Sequence, residues 1–280
     1  MNKKEKVIFI DYMVFVFRAI FAWRKNKQIP APYTVLNMII SNLSKIGVDK
    51  NDTVIFAIDG RNSWRKDVET SYKGNRKAQR ESFEDVNWSE MFQQMSELIE
   101  KLKQCTDFRF LKIDRIEADD IMAEGVRRYV DKEVVLCTID SDMEQLMVYD
   151  NCKIFSPMKK YKSKNGAYKI KPKNFNVYQF ITKKINKEKS DNLINPVLSV
   201  EDYDKRLQAV SLLELPDFVT VQIKEGFDNL EKGKEDLDYF PYSSLLDRYI
   251  KLETDKSNVI TYEQCENYKP RKKKKKGGVK

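Results

Sequence analysis

The chain of 280 residues has no histidine, only four cysteines and few glycines and prolines. The absence of histidine excludes a Ser-His-Asp or Cys-His nucleophile system, a histidine general base and any histidine-containing zinc site. The four cysteines are far apart and form no C-x-x-C pair, which favours reduced thiols in a cytosol-like compartment. Any bound metal should therefore have oxygen ligands, as Mg²⁺ and Mn²⁺ prefer.

The sequence also lacks an uninterrupted apolar run of membrane-spanning length. The most apolar segment, residues 7–23, is interrupted by Asp11 and Arg18, and no small-residue cleavage site follows it. This pattern predicts an intracellular, soluble protein that is neither secreted nor inserted in a membrane.

Charge is abundant but unevenly distributed. The formal net charge is +9, and charged residues make up 34% of the chain. Residues 153–189 contain 12 lysines and one glutamate, whereas residues 190–268 contain 8 basic and 17 acidic residues. The last twelve residues, 269–280, contain 8 basic residues and no acid. Two concentrated basic segments favour binding to a polyanion.

Four short apolar, β-branched runs each end in aspartate, at residues 7–11, 54–59, 108–114 and 134–140. Such runs are typical of strands buried on both faces of a parallel sheet. Helical patterns lie between them, at residues 33–46, 88–104 and 117–130. The alternation predicts an α/β fold with a mostly parallel central sheet flanked by helices.

Other segments suggest how the chain is divided. We expect an α/β domain over residues 1–180, a smaller C-terminal helical region over 181–268 and a disordered basic tail over 269–280. Residues 60–86 are polar, with 7 basic and 5 acidic residues, and fit a long mobile insertion better than a core element. The lysine-rich residues 159–174 are expected to form a hairpin or loop.

Acidic residues follow the predicted strands. The carboxyl ends of parallel strands meet at one edge, so these side chains should converge there. Gathering many carboxylates is unfavourable without cations between them, and two divalent ions would balance the charge. A single aspartate after a strand is usually a cap or turn residue, which is our interpretation of Asp114. The candidate ligands are Asp11, Asp59, Glu117, Asp119, Asp120, Asp140 and Asp142.

Five motifs, in register over residues 7–195, carry a family likeness: IDYMVF (10–15), IDG (58–60), YKGNRK (72–77), IEADDIMA (116–123) and TIDSDMEQL (138–146). Their order and spacing resemble the flap endonuclease and 5′→3′ exonuclease family, with its phage ribonucleases H nearest. The resemblance implies a PIN-like fold with a basic helical arch at residues 60–86. It also implies a structure-specific 5′ nuclease that removes flaps or RNA primers during DNA replication or repair and leaves 5′-phosphates.

The resemblance implies two Mg²⁺ ions, which Mn²⁺ can replace. The implied ligands of the first ion are Asp11, Asp59, Glu117, Asp119, Asp120 and Asp140. Those of the second are Asp140, Asp142, Glu188 and Asp191, where Glu188 replaces the family's aspartate and Lys187 its glycine. The family's glycine-rich helix–hairpin–helix is missing after this segment. These departures make the second site the less secure of the two.

The resemblance also assigns basic residues. Lys73 and Arg76 resemble the pair that contacts the scissile phosphate, and their i, i+3 spacing would place both on one helix face. With Asp140 they form the implied catalytic set. Alternatives stay open for three features: the insertion could be a solvated loop, Arg18 could pair with a carboxylate, and Tyr72 could be a packing residue. The implied nucleic-acid contacts are Arg18, Arg24, Lys66, Tyr72 and Lys77.

The expected partners are DNA and RNA–DNA hybrids with free 5′ ends, bound by a monomer. By resemblance, the basic tail could also contact a single-strand-binding protein or a sliding clamp, and the protein would be phage-encoded and act in the host cytoplasm. Three rivals remain at this point. They are a non-catalytic nucleic-acid-binding protein of the same fold, a phosphohydrolase with an aspartate nucleophile at 140–142, and a toxin-like ribonuclease.

Overall fold

The computed structural model describes residues 4–70, 72–185, 199–234 and 240–268. The strands and α-helices of these ranges are β1 (Lys6–Asp11), α1 (Tyr12–Lys25), α2 (Ala31–Ile46), β2 (Thr53–Ile58), α3 (Arg65–Val68), α4 (Arg76–Glu81), α5 (Trp88–Cys105), β3 (Arg109–Lys112), α6 (Ala118–Arg128), β4 (Glu133–Cys137), β5 (Cys152–Tyr161), β6 (Lys164–Lys169), α7 (Val177–Ile185), α8 (Val200–Val210), α9 (Asp217–Asp228), α10 (Ser243–Ile250) and α11 (Tyr262–Glu266). Short 3₁₀ helices cover Asp142–Val148 and Lys251–Glu253.

A six-stranded sheet in the order β3-β2-β1-β4-β5-β6 forms the centre. The first five strands are parallel and β6 pairs antiparallel with β5, which confirms the predicted mostly parallel α/β fold. The lysine-rich segment forms the β5–β6 hairpin, one of the two forms expected for it. The third strand is shorter than predicted and ends at Lys112, so Asp114 lies exposed in the following turn. This position agrees with its interpretation as a turn residue.

The sheet is buried on both faces. Alternate residues of β1 face opposite layers, because successive side chains of a strand point to opposite sides. Ile8 and Ile10 pack with the apolar faces of α1, α2, α5 and α10. Val7 and Phe9 pack with α6 and α9 on the other side. The continuous apolar runs in the sequence therefore reflect a two-sided core, as predicted.

The three helices predicted from periodicity are confirmed to within about two residues at each end. Helix α2 follows Pro30 and ends at Gly47, whose φ of +75° is the left-handed conformation common at helix C-termini. Helix α6 begins with a capping box formed by Glu117 and Asp120. Two acids from the candidate site therefore also define where this helix starts.

Composition alone predicted that the insertion (residues 60–86) is a mobile segment outside the core, and this prediction is wrong for part of it. It contains the short helices α3 and α4, and its centre is part of the core. Trp64 and Arg65 are 1% and 2% exposed, and Tyr72 is 4% exposed. Apolar packing and ion pairing hold this part of a charged segment against the sheet.

The C-terminal helices complete the apolar layers. Val219, Ile223 and Phe227 of α9 share a core cluster with Phe9 of β1. A small separate cluster forms around Val177, Ile181 and Ile185 of α7. The proposed boundary near residue 180 stays a prediction. In the ranges given above, no helix combines the length and apolar character needed to cross a bilayer.

Candidate active site

Acidic residues from three strands and one helix lie at the carboxyl edge of the sheet. Asp11 is the last residue of β1, Asp59 directly follows β2, and Asp140 comes three residues after β4. Because β2 and β4 both pair parallel with β1, all three strands end on the same side. Asp119 reaches this edge from the first turn of α6. We call these four residues, Asp11, Asp59, Asp119 and Asp140, the acidic edge.

A hydrogen bond and a close backbone approach fix Asp59 of the acidic edge. Asp59 Oδ1 accepts a hydrogen bond from the Ala118 backbone N–H at 2.8 Å, which joins β2 to the start of α6. The next residue, Gly60, approaches the chain so closely that a Cβ there would lie 2.0 Å from the Ile113 carbonyl oxygen. Only glycine fits this approach, so the strand can turn immediately after Asp59.

Thr138 joins two other acidic residues, and it was not among the predicted site residues. Its buried hydroxyl donates to Asp11 Oδ2 at 2.7 Å and accepts from the Asp140 backbone N–H at 3.0 Å. Asp140 Oδ1 in turn accepts from the Asp142 backbone N–H at 2.8 Å. One hydroxyl therefore links the Asp11 side chain to the backbone of Asp140. The motif T-x-D-x-D carries the only sequence signal for this role.

The members of the acidic edge repel one another. Burial, together with the charges of Asp59 and Asp140, raises the pKa of Asp11 to about 7 against the opposing effect of the Thr138 hydrogen bond. Burial, followed by the charges of Asp140 and Asp11, raises the pKa of Asp119 well above its usual range. Burial also raises the pKa of Asp59. These carboxylates are close enough to destabilise each other's charged form, and a bound cation would relieve that cost.

Glu117 behaves in the opposite way. Burial alone would raise its pKa, but the positive charges of Lys73 and Arg65 hold it below the ordinary value. Lys73 Nζ lies 2.6 Å from Glu117 Oε1, and the Tyr72 hydroxyl donates to Oε2 at 2.9 Å. Arg65 Nη1 lies 3.3 Å from the same Oε2. Glu117 is therefore ionised and already paired with cations from the insertion.

Asp120 does not face the acidic edge. It is completely buried, and Arg65 binds it at 2.6 and 2.8 Å through two guanidinium nitrogens. Trp64 Nε1 and the Glu117 backbone N–H donate to Oδ2 as well, at 3.0 and 3.2 Å. These contacts give Asp120 a structural role in joining the insertion to α6. The carboxylate of Asp120 thus contacts Arg65, Trp64 and the Glu117 backbone, and none of the acidic edge.

Arg65 is the largest feature that the sequence reasoning missed. Besides Asp120 and Glu117, its Nε donates to the Ala209 carbonyl oxygen at 2.8 Å, and its guanidinium carbon lies 4.6 Å from the centre of the Trp64 ring. One buried side chain therefore connects the insertion, α6 and α8. The sequence signal for a buried arginine was Trp64 next to Arg65. It was missed because the surrounding segment is polar and charged.

The structure describes only part of the predicted second metal site. Asp142 forms an ion pair with Lys184 of α7, whose Nζ also donates to Ser141 Oγ at 2.6 Å. Glu188, Asp191 and the neighbouring Lys187 lie outside the described residues. Lys184, which sequence reasoning did not single out, neutralises Asp142.

The chemistry of the acidic edge and Glu117 fits a hard divalent cation, because all the donors are carboxylate oxygens. No three acidic or cysteine side chains within the described ranges converge closely enough to ligate one ion directly. Hydrogen bonds hold Asp11 and Asp59 in place, and Lys73 holds Glu117. The acidic edge and Glu117 therefore match a divalent cation in donor type and charge. Their side chains would have to move closer together to ligate it directly.

The predicted phosphate contacts are placed differently from the expectation. Lys73 lies in a turn with a φ of +54°, ahead of α4, so it shares no helix face with Arg76. Both charges nevertheless act on Asp59, because each lowers the pKa of that carboxyl against the larger effect of its burial. The prediction that Lys73 and Arg76 share one helix face was wrong. Both cations nevertheless lie beside the acidic edge.

The predicted nucleic-acid contacts fall into different environments. Arg24 pairs with Asp85 at 2.8 Å and lies over the Phe83 ring. Lys66 is exposed on α3, whereas Lys77 is placed within α4 by its backbone. The Tyr72 ring is buried, which favours the packing alternative over stacking on a base. Arg18 is partly buried and forms no carboxylate pair among the described residues, contrary to that alternative.

A mostly parallel sheet that presents clustered carboxylates at its carboxyl edge, with cations beside them, is typical of metal-dependent phosphodiester hydrolases. Comparison with known families agrees. Residues 6–179 match the 5′-3′ exonuclease N-terminal, resolvase-like domain, so the chain belongs to the 5′-3′ exonuclease family. It is thus a nuclease, and its α/β sheet is that of the family.

Individual relatives agree with this assignment. The ribonuclease H of Enterobacteria phage T4 is 26% identical over 252 residues, which cover 85% of this chain and 78% of that protein. The bacteriophage T5 flap endonuclease, solved with DNA and metal ions, is 20% identical with a TM-score of 0.51. The T5 5′-exonuclease, solved with zinc, is 19% identical with a TM-score of 0.52. Each T5 comparison covers 89% of this chain and 90% of the other, and shows a shared fold.

Proposed function

We propose that this protein is a divalent-metal-dependent, structure-specific 5′ nuclease that hydrolyses phosphodiesters to 5′-phosphate products. Its proposed substrates are flapped or nicked DNA and RNA–DNA hybrids with free 5′ ends, including RNA primers in DNA replication or repair. One observation carries this proposal: four mutually repelling carboxylates lie at the sheet edge beside the cations Lys73 and Arg76.

The proposed first metal site consists of Asp11, Asp59, Glu117, Asp119 and Asp140. The second consists of Asp140, Asp142, Glu188 and Asp191. The proposed ions are two Mg²⁺, with Mn²⁺ as a substitute. When bound, they supply Lewis-acid activation of water and of the phosphate. Asp120 is left out because its carboxylate oxygens are directed to Arg65, Trp64 and the Glu117 backbone.

The chain's own residues provide positioning and charge. Thr138 orients the Asp11 carboxylate and anchors the backbone of Asp140. Lys73 and Arg76 are proposed to neutralise the scissile phosphate, because cations placed where negative charge develops stabilise a transition state. Glu117 holds Lys73 at the acidic site before substrate arrives. A phosphate there would compete with Glu117 for Lys73 and release the carboxylate toward a metal ion.

The surrounding basic residues are proposed to bind the nucleic-acid backbone. Arg18, Arg24, Lys66 and Lys77 keep this proposed role, and Tyr72 becomes a positioning residue for Glu117. Passage of a 5′ end beneath the insertion (residues 60–86) would explain 5′ polarity. Action as a monomer in a host cytoplasm, and contact with a single-strand-binding protein or sliding clamp, stay predictions. The tail that would make this contact lies outside the described residues.

A product-mapping experiment tests the proposal. End-labelled flap, nicked and RNA-primed duplexes are incubated with Mg²⁺, Mn²⁺ or EDTA, and the chemical ends of the products are determined. The proposal expects cleavage near the 5′ end, 5′-phosphate products and no cleavage in EDTA. Tight binding of every substrate without cleavage in either metal would instead support the non-catalytic rival. Hydrolysis of p-nitrophenyl phosphate but no nucleic acid would support the phosphohydrolase.

A further inference from the structure

A cavity of about 540 Å³ lies between helices α1, α2 and α10 and the β5–β6 hairpin. Four cationic side chains line it: Arg18 from α1, Lys45 from α2, Arg248 from α10, and Lys251 from the 3₁₀ helix that follows. The lining contains one acidic residue, Asp255. An imbalance of this size produces a positive potential inside a partly enclosed, low-dielectric space.

Protein groups do not balance these charges. In the part of the chain that the structure describes, none of the four cations forms an ion pair. Lys45 Nζ contacts only a hydroxyl, that of Ser41 at 3.3 Å. Arg248 donates to the Asn37 side-chain oxygen at 3.0 Å, which is neutral. By contrast, the cations at the acidic site, such as Lys73 and Arg65, face carboxylates.

Two polar atoms in the cavity lining are buried without a partner. Arg18 Nη1 is a donor and Asn42 Oδ1 is an acceptor, so only the arginine atom favours an anion. A buried donor without an acceptor is unfavourable, and more so when it carries charge. Burial lowers the pKa of Arg18, and burial together with the charge of Lys164 lowers that of Lys45. An anion in the cavity would supply the missing acceptor and relieve this crowding of like charges.

We propose that the cavity between α1, α2, α10 and the β5–β6 hairpin is a binding site for a phosphate group. A phosphate offers several oxygen acceptors, which match the Arg18 guanidinium, the Lys45 ammonium and the Ser41 hydroxyl. The exposed cations Arg248 and Lys251 lie at the rim and would attract the ligand. Two sources would supply this group. One is a nucleic-acid backbone, an assignment that rests on the proposed function, and the other is inorganic phosphate.

The cavity lies near the acidic edge but uses different residues. The buried thiol of Cys137, at the end of β4, senses the charge of Asp11 as well as those of Arg18 and Lys45. Cys137 therefore lies within electrostatic reach of both places. A phosphate held in the cavity would fix a strand at a second point, away from the scissile bond.

The test uses the full-length protein in EDTA, so that cleavage does not interfere. Fluorescence anisotropy measures the affinity for a labelled duplex between 50 and 200 mM salt, which is roughly the range where phosphate contacts change affinity strongly. Thermal unfolding with and without inorganic phosphate measures binding of the free ion. The variants are Arg18→Met, Lys45→Met and the rim double variant Arg248→Ala/Lys251→Ala. Lys101→Ala, an exposed lysine on α5, is the matched control.

A backbone phosphate in the cavity predicts that the cavity variants lower duplex affinity and reduce the salt slope by about 0.9, the value for one contact. Free phosphate predicts instead that the ion raises the unfolding temperature of the wild type and not of the variants, with duplex affinity unchanged. Either result supports the site. Should every cavity variant match Lys101→Ala in both measurements, the proposal is overturned.

Two controls keep the outcome clear. The rim double variant changes only exposed side chains, so it carries the test should Arg18→Met fail to fold. Cleavage by the wild type is assayed separately with Mg²⁺. Loss of the proposed function would appear there as absent cleavage, whereas failure of the phosphate site would appear only in the EDTA experiments.

Discussion

The acids of the candidate active site divide into two groups with opposite electrostatics. In the acidic edge, burial raises the pKa values of Asp11, Asp59 and Asp119, and the charge of Asp140 adds to the effect at Asp11 and Asp119. Glu117 and Asp120, only a few residues away on α6, are each bound by Arg65, and Glu117 also by Lys73. The comparison shows that adjacent acids in one motif have different roles. Asp120, enclosed by Arg65, stabilises the fold, whereas the acidic edge retains the capacity to bind an external cation and Glu117 lies between the two.

Removing Arg65 should have the largest effect, because it leaves Asp120 buried without its cation. Arg65→Met is expected to lower the free energy of unfolding by roughly 3–5 kcal/mol, the range for a broken buried pair. Urea unfolding measures this loss. Lys205→Met, which removes an exposed pair with Glu201, is the control and should leave the midpoint unchanged. If Arg65→Met lowered the free energy of unfolding as little as Lys205→Met, the pair of Arg65 with Asp120 would have no structural role.

Within the acidic edge, Asp140→Asn should affect catalysis and not folding. Its charge is proposed to serve both metal ions, so cleavage is expected to fall by at least roughly 10²–10³-fold, while duplex binding in EDTA is retained. Single-turnover cleavage and anisotropy measure the two quantities. Asp114→Asn makes the same chemical change in the turn after the edge strand β3, where the residue is exposed, and should cleave normally. Normal cleavage by Asp140→Asn would exclude the proposed site.

Lys73 acts on both groups of acids, since it pairs with Glu117 and lowers the pKa of Asp59. Lys73→Ala is expected to lower kcat by about 10²-fold with a smaller change in KM, because the lost charge acts on the transition state. Steady-state kinetics on a flap substrate separates the two parameters. The exposed Lys66→Ala, in the same insertion, should change KM more than kcat. A rise in KM alone for Lys73→Ala would show that it only tethers the substrate.

Asp11→Asn should be more stable than the wild type without metal and less stable than the wild type with Mg²⁺. The pKa of Asp11 in the folded chain is about 7, above the ordinary value of 3.8, so its ionisation destabilises the metal-free protein as pH rises from about 4 to about 7. Above that range, Asp11→Asn is expected to unfold several degrees higher than the wild type in EDTA. With excess Mg²⁺ the order should reverse, because the variant loses a ligand. Calorimetry at pH 5 and pH 8 measures both effects.

The smallest expected effect concerns Tyr72. Tyr72→Phe removes one hydrogen bond to Glu117 and keeps the buried ring, so stability should fall by about 1 kcal/mol. Cleavage should decrease less than in Lys73→Ala. A loss of cleavage equal to that of Lys73→Ala would restore a direct role for Tyr72 at the substrate.

Much of this arrangement could be predicted from local sequence. The parallel sheet followed from four apolar runs, and the placement of Asp11, Asp59 and Asp140 followed from where those runs end. Strand direction alone brings such residues to one edge. The insertion could not be predicted in this way. Its charged composition resembles a solvated loop, and only long-range contacts show that Trp64 and Arg65 are buried.

Strand periodicity and residue chemistry are local properties, so the α/β class, the oxygen-only donor set and the edge at which the acids meet were all predictable from the amino-acid order. Which acids are paired depends on long-range contacts in the fold. Asp119 and Asp120 are neighbours in sequence, yet one faces other acids and the other faces a buried arginine. A carboxylate's state depends on charges that the fold brings from distant positions, and Arg65 lies 55 residues from Asp120 along the chain.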